Sequence, residues 1–418
     1  YSAVQSQTPA YGWSSTKDKL GLWLVTPSNE YMSGGPTKVE LNAHLDGNQD
    51  GYPTLLNVWK GPHYGGTTVM IPQGQSWKKA IGPFALYCNA TDAADAPPAL
   101  FKDALARAAK DAQAWPFDWV NEPEFYAPSN ARTTVRGKLL LRDPITKQAD
   151  LSDEWVGLTH PDYTVTGPRG TQSIDWQHDG TYDQFWIRAN ADGSFVIPNV
   201  PAGQYTLHAF ATGVLGEFVK NAITVVAGKP PEPVDLGMML WTPLRDGRQI
   251  WEIGIPDRTA AEFRNGANAH RWGIHVDYPK EFPNDVHYIV GKSDYRTDWN
   301  LMQVPRGTDP DGRGRGTATT WTIHFAMPAA PHGTATLRLA FAGTEARSLA
   351  ITVNGKPAGE ITGLPNTMAI HRDQNRSAWQ EKAVPFDAAM LHAGENTIGL
   401  TVPAGNVTAG VEYDYLRL

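Results

Sequence analysis

The sequence contains a single cysteine, Cys88, which excludes an intrachain disulfide framework. Cys88 lies in an apolar, strand-like run, so we expect a buried and unreactive thiol. No apolar run approaches the roughly 20 residues that a membrane-spanning helix needs, and a membrane is not expected as a partner. The formal charge is −7, from 36 basic and 43 acidic residues. Because no basic run accompanies this acidic balance, nucleic acid is not expected as a partner either.

Several enzyme motifs are also missing. The twelve histidines are scattered, with no HxH or HExxH pattern, so a zinc site is not expected. The sequence has no P-loop, no GxGxxG unit and no GxSxG, which argues against nucleotide cofactors and against the common esterase fold. We therefore expect no cofactor for catalysis. A structural calcium ion held by carboxylates and carbonyls of the last domain is compatible with the sequence, although no calcium-loop signature marks it.

What the sequence has in abundance is turn residues and aromatic rings. Its 40 glycines and 32 prolines, beside 15 tryptophans and 15 tyrosines, predict an all-β protein with many turns. At 418 residues, the chain is long enough for two or three domains that each bury a core. One helix is predicted, over 99–115, because this alanine-rich run has no internal glycine or proline and ends before Pro116.

The chain divides into three predicted domains: 1–131, 132–235 and 236–418. The second has short strand patterns separated by turns, as in a small β-sandwich, and a proline-rich join follows it. The third has alternating strands and an Asn354-Gly355 hairpin turn, which together indicate a jelly roll. The predicted strands of these two domains are 135–141, 155–158, 185–188, 194–197, 205–210, 321–326, 336–342, 349–353 and 413–418.

The most informative stretch for function is 27–87, and the overlapping segment 51–90 contains three lysines and one histidine but no Asp or Glu. Just before it, Lys38 follows a Gly-Gly-Pro-Thr turn that can aim a side chain into a cleft. His63 sits in a second rigid turn, and Lys78 follows Trp77. Each of these residues alone is more often structural or solvated. Together, without neighbouring acids, they favour a site for an anionic sugar.

Such a group of cations suits β-elimination on a uronic acid. Cations neutralise the substrate carboxylate and stabilise the enolate-like intermediate. A base then removes the C5 proton, and a second group protonates the departing O4 oxygen. A lysine, whose pKa is ordinarily near about 10.4, becomes a usable base when burial or neighbouring cations lower that value. The competing hypothesis is a glycoside hydrolase that uses paired carboxylates among Glu30, Glu40, Asp46 and Asp50.

Motifs along almost the whole chain resemble those of rhamnogalacturonan endolyases, polysaccharide lyase family 4. They occur in the same order as in that family, and the string at 250–258 is the most specific of them. The motifs are 25–30 (VTPSNE), 33–38 (SGGPTK), 63–64 (HY), 77–79 (WKK), 192–195 (DGSF), 201–205 (PAGQY), 250–258 (IWEIGIPDR), 290–295 (VGKSDY) and 413–418 (YDYLRL).

The resemblance implies a galactose-mutarotase-like β-sandwich, a fibronectin-III-like domain and a jelly-roll carbohydrate-binding-like domain. It also implies cleavage of rhamnogalacturonan I between rhamnose and galacturonate, leaving a C4–C5 unsaturated galacturonate. Family members carry the reaction on a lysine and a histidine, which we place at Lys38 and His63, with Lys60, Lys78 and His44 as alternatives. Supporting contacts are expected from four further residues: Tyr64, Lys78, Tyr87 and Arg372.

One departure from the family is the short N-terminal block of about 130 residues, which indicates a partial sandwich that lacks upstream sequence. Two alternatives therefore stay open: a carbohydrate-binding protein without catalysis, and a lyase for another rhamnose–uronate polymer. In either case the expected protein is a secreted or periplasmic monomer whose partner is a pectic polysaccharide.

Overall fold

The computed structural model divides the chain into two compact units. The first unit is Tyr1–His63, Thr67–Ala211 and Glu217–Pro243, and the second is Tyr64–Gly66, Thr212–Gly216 and Leu244–Leu418. The residues that the structure describes are 2–45, 53–56, 58, 63–65, 69–143, 151–167, 170–226, 232–271, 273–308 and 314–418. The domain limits 1–131, 132–235 and 236–418 stay a prediction.

The first unit begins with small antiparallel sheets. Strand β2 pairs with β3 and β3 with β7, while β1 pairs with β4 and β5 with β6. These strands are β1 (Ser2–Val4), β2 (Ala10–Ser15), β3 (Leu20–Val25), β4 (Val39–Leu41), β5 (Ala43–Leu45), β6 (Pro53–Leu56) and β7 (Ala85–Ala90).

One long helix covers a face of the β2-β3-β7 sheet. Helix α1 (Ala96–Gln113) was predicted, and it begins three residues earlier than expected. Its prolines lie in the first turn, where a missing N–H removes no helical hydrogen bond. Ala96, Leu100, Ala104 and Ala108 are buried at four-residue spacing against the sheet residues Trp23 and Val25. The apolar stripe therefore holds the helix to the sheet.

The prediction that Cys88 is buried is wrong, because its side chain is exposed. Successive side chains of a strand point to opposite faces of the sheet. In β7, the Tyr87 side chain points toward α1 and bonds Asp103, so Cys88 and Leu86 point the other way. Leu86 is 65% exposed, and Leu20 and Leu22 of β3 are also exposed. The apolar run in the sequence did not show which face of the β2-β3-β7 sheet helix α1 covers.

The rest of the first unit is a two-sheet sandwich, as predicted. One sheet has the order β12-β9-β14-β15, and the other has the order β13-β8-β16, in which β16 runs parallel to β8. The core includes Val135, Leu139, Leu158 and Leu207, each fully buried. The strands are β8 (Arg132–Leu141), β9 (Trp155–Thr159), β10 (Tyr163–Gly167), β11 (Gly170–Ile174), β12 (Phe185–Arg188), β13 (Ser194–Pro201), β14 (Gly203–Phe210), β15 (Phe218–Val225) and β16 (Val234–Trp241).

The second unit is built on two larger sheets. Their orders are β17-β29-β23-β26, with β19 also paired to β29, and β18-β22-β27-β24-β25. Trp299, Trp321 and Tyr413 are fully buried in its core. The strands are β17 (Glu252–Gly254), β18 (His287–Ile289), β19 (Met302–Gln303), β20 (Arg306–Gly307), β21 (Arg315–Thr317), β22 (Thr319–Met327), β23 (Thr334–Thr344), β24 (Ser348–Val353), β25 (Lys356–Thr362), β26 (Gln380–Asp387), β27 (Gly394–Val402), β28 (Gly405–Asn406) and β29 (Val411–Arg417).

The hairpin predicted at Asn354-Gly355 joins β24 to β25. Asn354 has φ 49° and Gly355 has φ 74°, and a two-residue hairpin turn of this kind needs positive φ at both positions. The second unit also contains two short helices, α2 (Ile274–Glu281) and α3 (Tyr295–Asp298). Among the residues described, no helix is both long and apolar enough to cross a membrane.

Candidate functional site

The loop between β3 and β4 places Lys38 inside the first unit. Gly34 (φ 79°) and Gly35 (φ 73°) reverse the chain there in a conformation that residues with a Cβ rarely adopt. A Cβ on Gly34 would lie 2.1 Å from Cδ of Lys38, and one on Gly35 would lie 2.3 Å from the Trp176 ring. The two glycines therefore let the Lys38 side chain and the indole pack directly against the turn.

Lys38 is 7% exposed, and its ammonium group donates a short hydrogen bond to the carboxylate of Glu40. It also donates to the Val39 carbonyl oxygen at 3.4 Å. Burial lowers the pKa of Lys38, because the charged form loses its water, and the negative charge of Glu40 opposes that shift. The result is a desolvated lysine that is paired with one carboxylate.

A second buried ion pair joins Glu30 to Arg132, the first residue of β8. Two guanidinium nitrogens of Arg132 each donate to a different Glu30 oxygen at 2.8 Å. The indole Nε1 of Trp115 donates to the same carboxylate at 3.1 Å. Burial raises the pKa of Glu30, and Arg132 opposes that shift. Because the pair spans 102 residues of sequence, it fixes the loop between β3 and β4 to the following sandwich.

Both ion pairs border one cavity of about 310 Å³ in the first unit. Its wall combines charged or amide groups with indole rings, as carbohydrate and other polar-ligand sites often do. The polar residues that line it include Gln5, Ser28, Asn29, Glu30, Lys38, Glu40, Gln184 and Asn199, and the aromatic residues are Trp115, Trp155, Phe185 and Trp186.

The other predicted site residues do not line this cavity. His63 is half-buried, and the Lys78 ammonium lies 5.3 Å from the centre of the Phe125 ring. The Tyr87 hydroxyl donates to Asp103 of α1 at 2.7 Å. The joint action of Lys38 and His63 therefore stays a prediction, as do the substrate contacts of Lys78 and Tyr87.

Two further predicted residues belong to the second unit. Tyr64 is 5% exposed. Arg372 ends a short 3-10 turn and is half-buried beside Glu345, whose carboxylate accepts from the His371 amide at 2.6 Å. Lys60, Asp46 and Asp50 lie outside the described residues, as does the side chain of His44.

The expectation that these lysines lack acidic neighbours is wrong. Lys38 is paired with Glu40, and the Lys79 ammonium lies 3.2 Å from the Asp183 carboxylate. The 51–90 segment is free of acids only along the sequence. The fold brings Asp183 to it from a distant segment, because a buried ammonium group is costly without a counter-charge.

Sequence reasoning missed Arg132 and the indoles of Trp155 and Trp186. Arg132 shares its strand with two other basic residues, Arg136 and Lys138, and nothing nearby in the sequence indicates that it has a partner 102 residues away. Trp155 and Trp186 lie on the neighbouring strands β9 and β12, where a tryptophan is equally consistent with core packing. The signal in the sequence that pointed toward the Glu30–Arg132 pair was the position of Glu30 within the informative stretch 27–87.

Within the described ranges, no three His, Cys, Asp or Glu side chains converge as metal ligands. The structural calcium ion stays a prediction.

Comparisons with known proteins place the second and third parts of the chain in one family. Residues 154–232 match the family model for domain II of polysaccharide lyase family 4, and residues 249–418 match the model for its carbohydrate-binding-module-like domain III. The family 35 carbohydrate binding module from an environmental isolate aligns with 25% of this chain and 66% of its own, at 25% identity and a TM-score of 0.18, and we draw no conclusion from it.

Two curated relatives align with nearly the whole chain. The rhamnogalacturonate lyase of Dickeya dadantii is 29% identical over 97% of this chain and 62% of its own length. Rhamnogalacturonate lyase B of Emericella nidulans is 27% identical over 98% of this chain and 65% of its own length. The chain thus spans slightly less than two thirds of these relatives.

Proposed function

Because the chain belongs to polysaccharide lyase family 4, of which it carries domains II and III, we propose that it cleaves rhamnogalacturonan I by β-elimination between rhamnose and galacturonate. The two family matches confirm the family resemblance. The strands of the structure confirm the all-β fold class that was predicted from the sequence. The names of the relatives support the substrate class. The observation that carries the reaction type is Lys38, a desolvated ammonium group at the wall of a polar and aromatic cavity.

In the proposed reaction, the Lys38 amine takes the C5 proton of galacturonate. The C4–C5 double bond forms as the C4–O4 bond breaks, and His63 gives a proton to the departing O4 oxygen. The lowered pKa of Lys38 increases the fraction of neutral amine that can act as a base. Because Lys38 and Arg132 are already paired with Glu40 and Glu30, the substrate carboxylate needs another cation, and we assign that role to Lys78.

The test of this proposal must separate catalysis from folding. Replacing Lys38 alone removes the cation beside the buried Glu40 carboxylate, which is destabilising. The double change Lys38→Met and Glu40→Gln removes both charges and keeps the side-chain lengths. Lys102→Ala, an exposed position on α1, is the matched control.

We expect the wild-type chain and the Lys102 variant to raise the ultraviolet absorbance of unsaturated uronate on rhamnogalacturonan I and not on homogalacturonan. The double variant should fold and lose at least about a thousandfold in kcat, as for removal of a general base. Near-normal kcat in the folded double variant would remove Lys38 from the reaction. If the wild-type chain forms no product on rhamnogalacturonan I and none on homogalacturonan, the lyase proposal is rejected.

A binding protein without catalysis is the second candidate. The observation that favours it is the Lys38–Glu40 pair itself, since a neighbouring carboxylate stabilises the protonated ammonium form and leaves less neutral amine to accept a proton. Retention on rhamnogalacturonan I without unsaturated product identifies that case. A substrate panel that includes a rhamnose–glucuronate polymer distinguishes a lyase of that specificity from one that acts on rhamnogalacturonan I.

The proposed substrate also indicates where the protein acts in relation to the cell. Pectic polysaccharide lies outside the cell that degrades it, so we propose that the chain acts as a secreted or periplasmic monomer. Detection of the protein in the culture medium or periplasmic fraction tests the location, and size-exclusion chromatography tests the oligomeric state.

A further inference from the structure

An exposed tryptophan follows helix α1 in the first unit. Trp119 is 72% exposed, the most exposed large apolar side chain among the described residues. A side chain of this size normally buries much of its area, because each indole removes a large apolar surface from water. Its exposure therefore needs a local explanation.

The indole of Trp119 packs against a neighbouring ring. It stacks on the ring of Phe117, with centroids 5.4 Å apart and planes inclined by 24°. Phe117 in turn meets the edge of Trp115, with centroids 5.5 Å apart and planes inclined by 75°. Trp115 lines the cavity and bonds Glu30. The three rings form a continuous aromatic row from solvent to the cavity wall.

The loop that carries the row is held by polar anchors. The carboxylate of Asp118 accepts hydrogen bonds from both the amide and the hydroxyl of Ser129, each at 2.9 Å. The Phe117 amide donates to the Tyr126 hydroxyl at 2.6 Å. The hydrogen bonds of the adjacent residues Phe117 and Asp118 fix the backbone next to Trp119. An exposed ring on a fixed backbone loses little conformational freedom when a ligand packs on it.

We propose that the Trp119–Phe117 pair is a polysaccharide-binding subsite outside the cavity, on which the apolar C–H face of one pyranose ring stacks. This inference rests on the proposed polysaccharide substrate. A planar, amphipathic ring on an ordered loop matches the flat C–H face of a sugar, whereas a protein partner generally buries a contiguous patch of several apolar side chains. The row connects this platform to Trp115 at the cavity wall.

The test measures binding directly. Affinity electrophoresis in gels that contain rhamnogalacturonan I compares the wild-type chain with Trp119→Ala, Trp119→Phe and the control Val226→Ala, whose side chain is 71% exposed elsewhere in the same unit. We expect Trp119→Ala to weaken binding at least about tenfold, as truncation of a tryptophan hot spot does. Trp119→Phe should retain most of the affinity, and Val226→Ala should match the wild type.

Affinity of Trp119→Ala within about twofold of the wild type would overturn the subsite, as would a wild-type chain that rhamnogalacturonan I does not retard. The unsaturated-uronate assay separates this inference from the lyase proposal. Tryptophan-dependent binding without product rejects catalysis and keeps the subsite. Product formation with unchanged affinity of Trp119→Ala rejects only the subsite.

Discussion

The protein buries carboxyl groups in two ways, with a neighbouring cation and without one, and the first unit does both, since neither carboxyl oxygen of its buried Glu154 has a hydrogen-bond partner among the described residues. In the first unit, Glu30 and Glu40 are each buried beside a cation, and both pairs border a cavity. In the second unit, Glu412 is fully buried, and neither of its carboxyl oxygens has a hydrogen-bond partner in the part of the chain that is described. Burial raises the pKa of Glu412, and the nearby carboxyls of Glu345 and Asp373 raise it further.

The difference shows what burial alone cannot tell about a carboxyl group. Paired with a cation at a cavity, a buried carboxylate stays charged and can position a reacting group. Without a cation, it is best accommodated as the neutral acid. Asp414 lies between these cases, because it accepts hydrogen bonds from the Asp257 and Arg258 amides and from the Trp379 indole, and its pKa is still raised to about 7.

Breaking the pair in the first unit should give the largest effect on stability. Arg132→Met leaves Glu30 as an uncompensated buried carboxylate, so we expect a loss of about 3–5 kcal/mol in the free energy of unfolding. Urea unfolding of the wild type and variant measures this. Adding Glu30→Gln should recover much of the loss. Arg136→Met, which breaks the exposed Arg136–Asp235 pair on the same strand, should cost less than about 1 kcal/mol, and equal losses for the two single variants would contradict the assignment.

Removing the acid in the second unit should have a smaller and pH-dependent effect. The raised pKa of Glu412 means that the folded chain holds a proton that the unfolded chain releases above the ordinary carboxyl range. Stability should therefore fall as pH rises above that range, by up to about 1.4 kcal/mol per pH unit for this group.

Glu412→Gln removes that titration. We expect the variant to be more stable than the wild type at about pH 8 and close to it at about pH 5, with thermal unfolding as the measurement. Glu360→Gln, an exposed position in the same unit, serves as the control and should leave the pH slope unchanged. A Glu412→Gln slope equal to that of the wild type would mean that Glu412 is not the titrating group.

The smallest stability effect is expected from the turn that holds Lys38. Gly34→Ala and Gly74→Ala both place a Cβ at positive φ, which costs about 1–2 kcal/mol. At Gly74 nothing lies within 4 Å of the new Cβ, whereas at Gly34 it meets Lys38. We therefore expect both variants to lose stability, Gly34→Ala more than Gly74→Ala because Lys38 must shift, and only Gly34→Ala to lower kcat, measured by product absorbance. A kcat that is unchanged by Gly34→Ala would show that the position of Lys38 does not matter.

Local patterns predicted the elements of the fold well. Helix α1 follows from an alanine-rich run bounded by prolines, strand β12 has the predicted limits, and the Asn354-Gly355 turn forms the expected hairpin. Each of these depends on residues that are close in sequence. The Gly34-Gly35 turn belongs to the same class, since the glycine pair alone indicated a tight reversal before Lys38.

What the sequence could not supply is the set of partners made by the fold. The Glu30–Arg132 pair and the Lys79–Asp183 pair each join residues about a hundred positions apart. Cys88 shows the same limit for burial, because an apolar strand does not reveal which of its faces the helix covers. Charge balance at the site was therefore the property most poorly predicted.

The proposed lyase activity of Lys38 is tested most directly by the absorbance of unsaturated uronate, with purified wild-type chain and the folded Lys38→Met, Glu40→Gln double variant on rhamnogalacturonan I. We predict a steady rise for the wild type and none for the double variant. Equal rises from both proteins, or no rise from the wild type, would contradict the assignment of the reaction to Lys38.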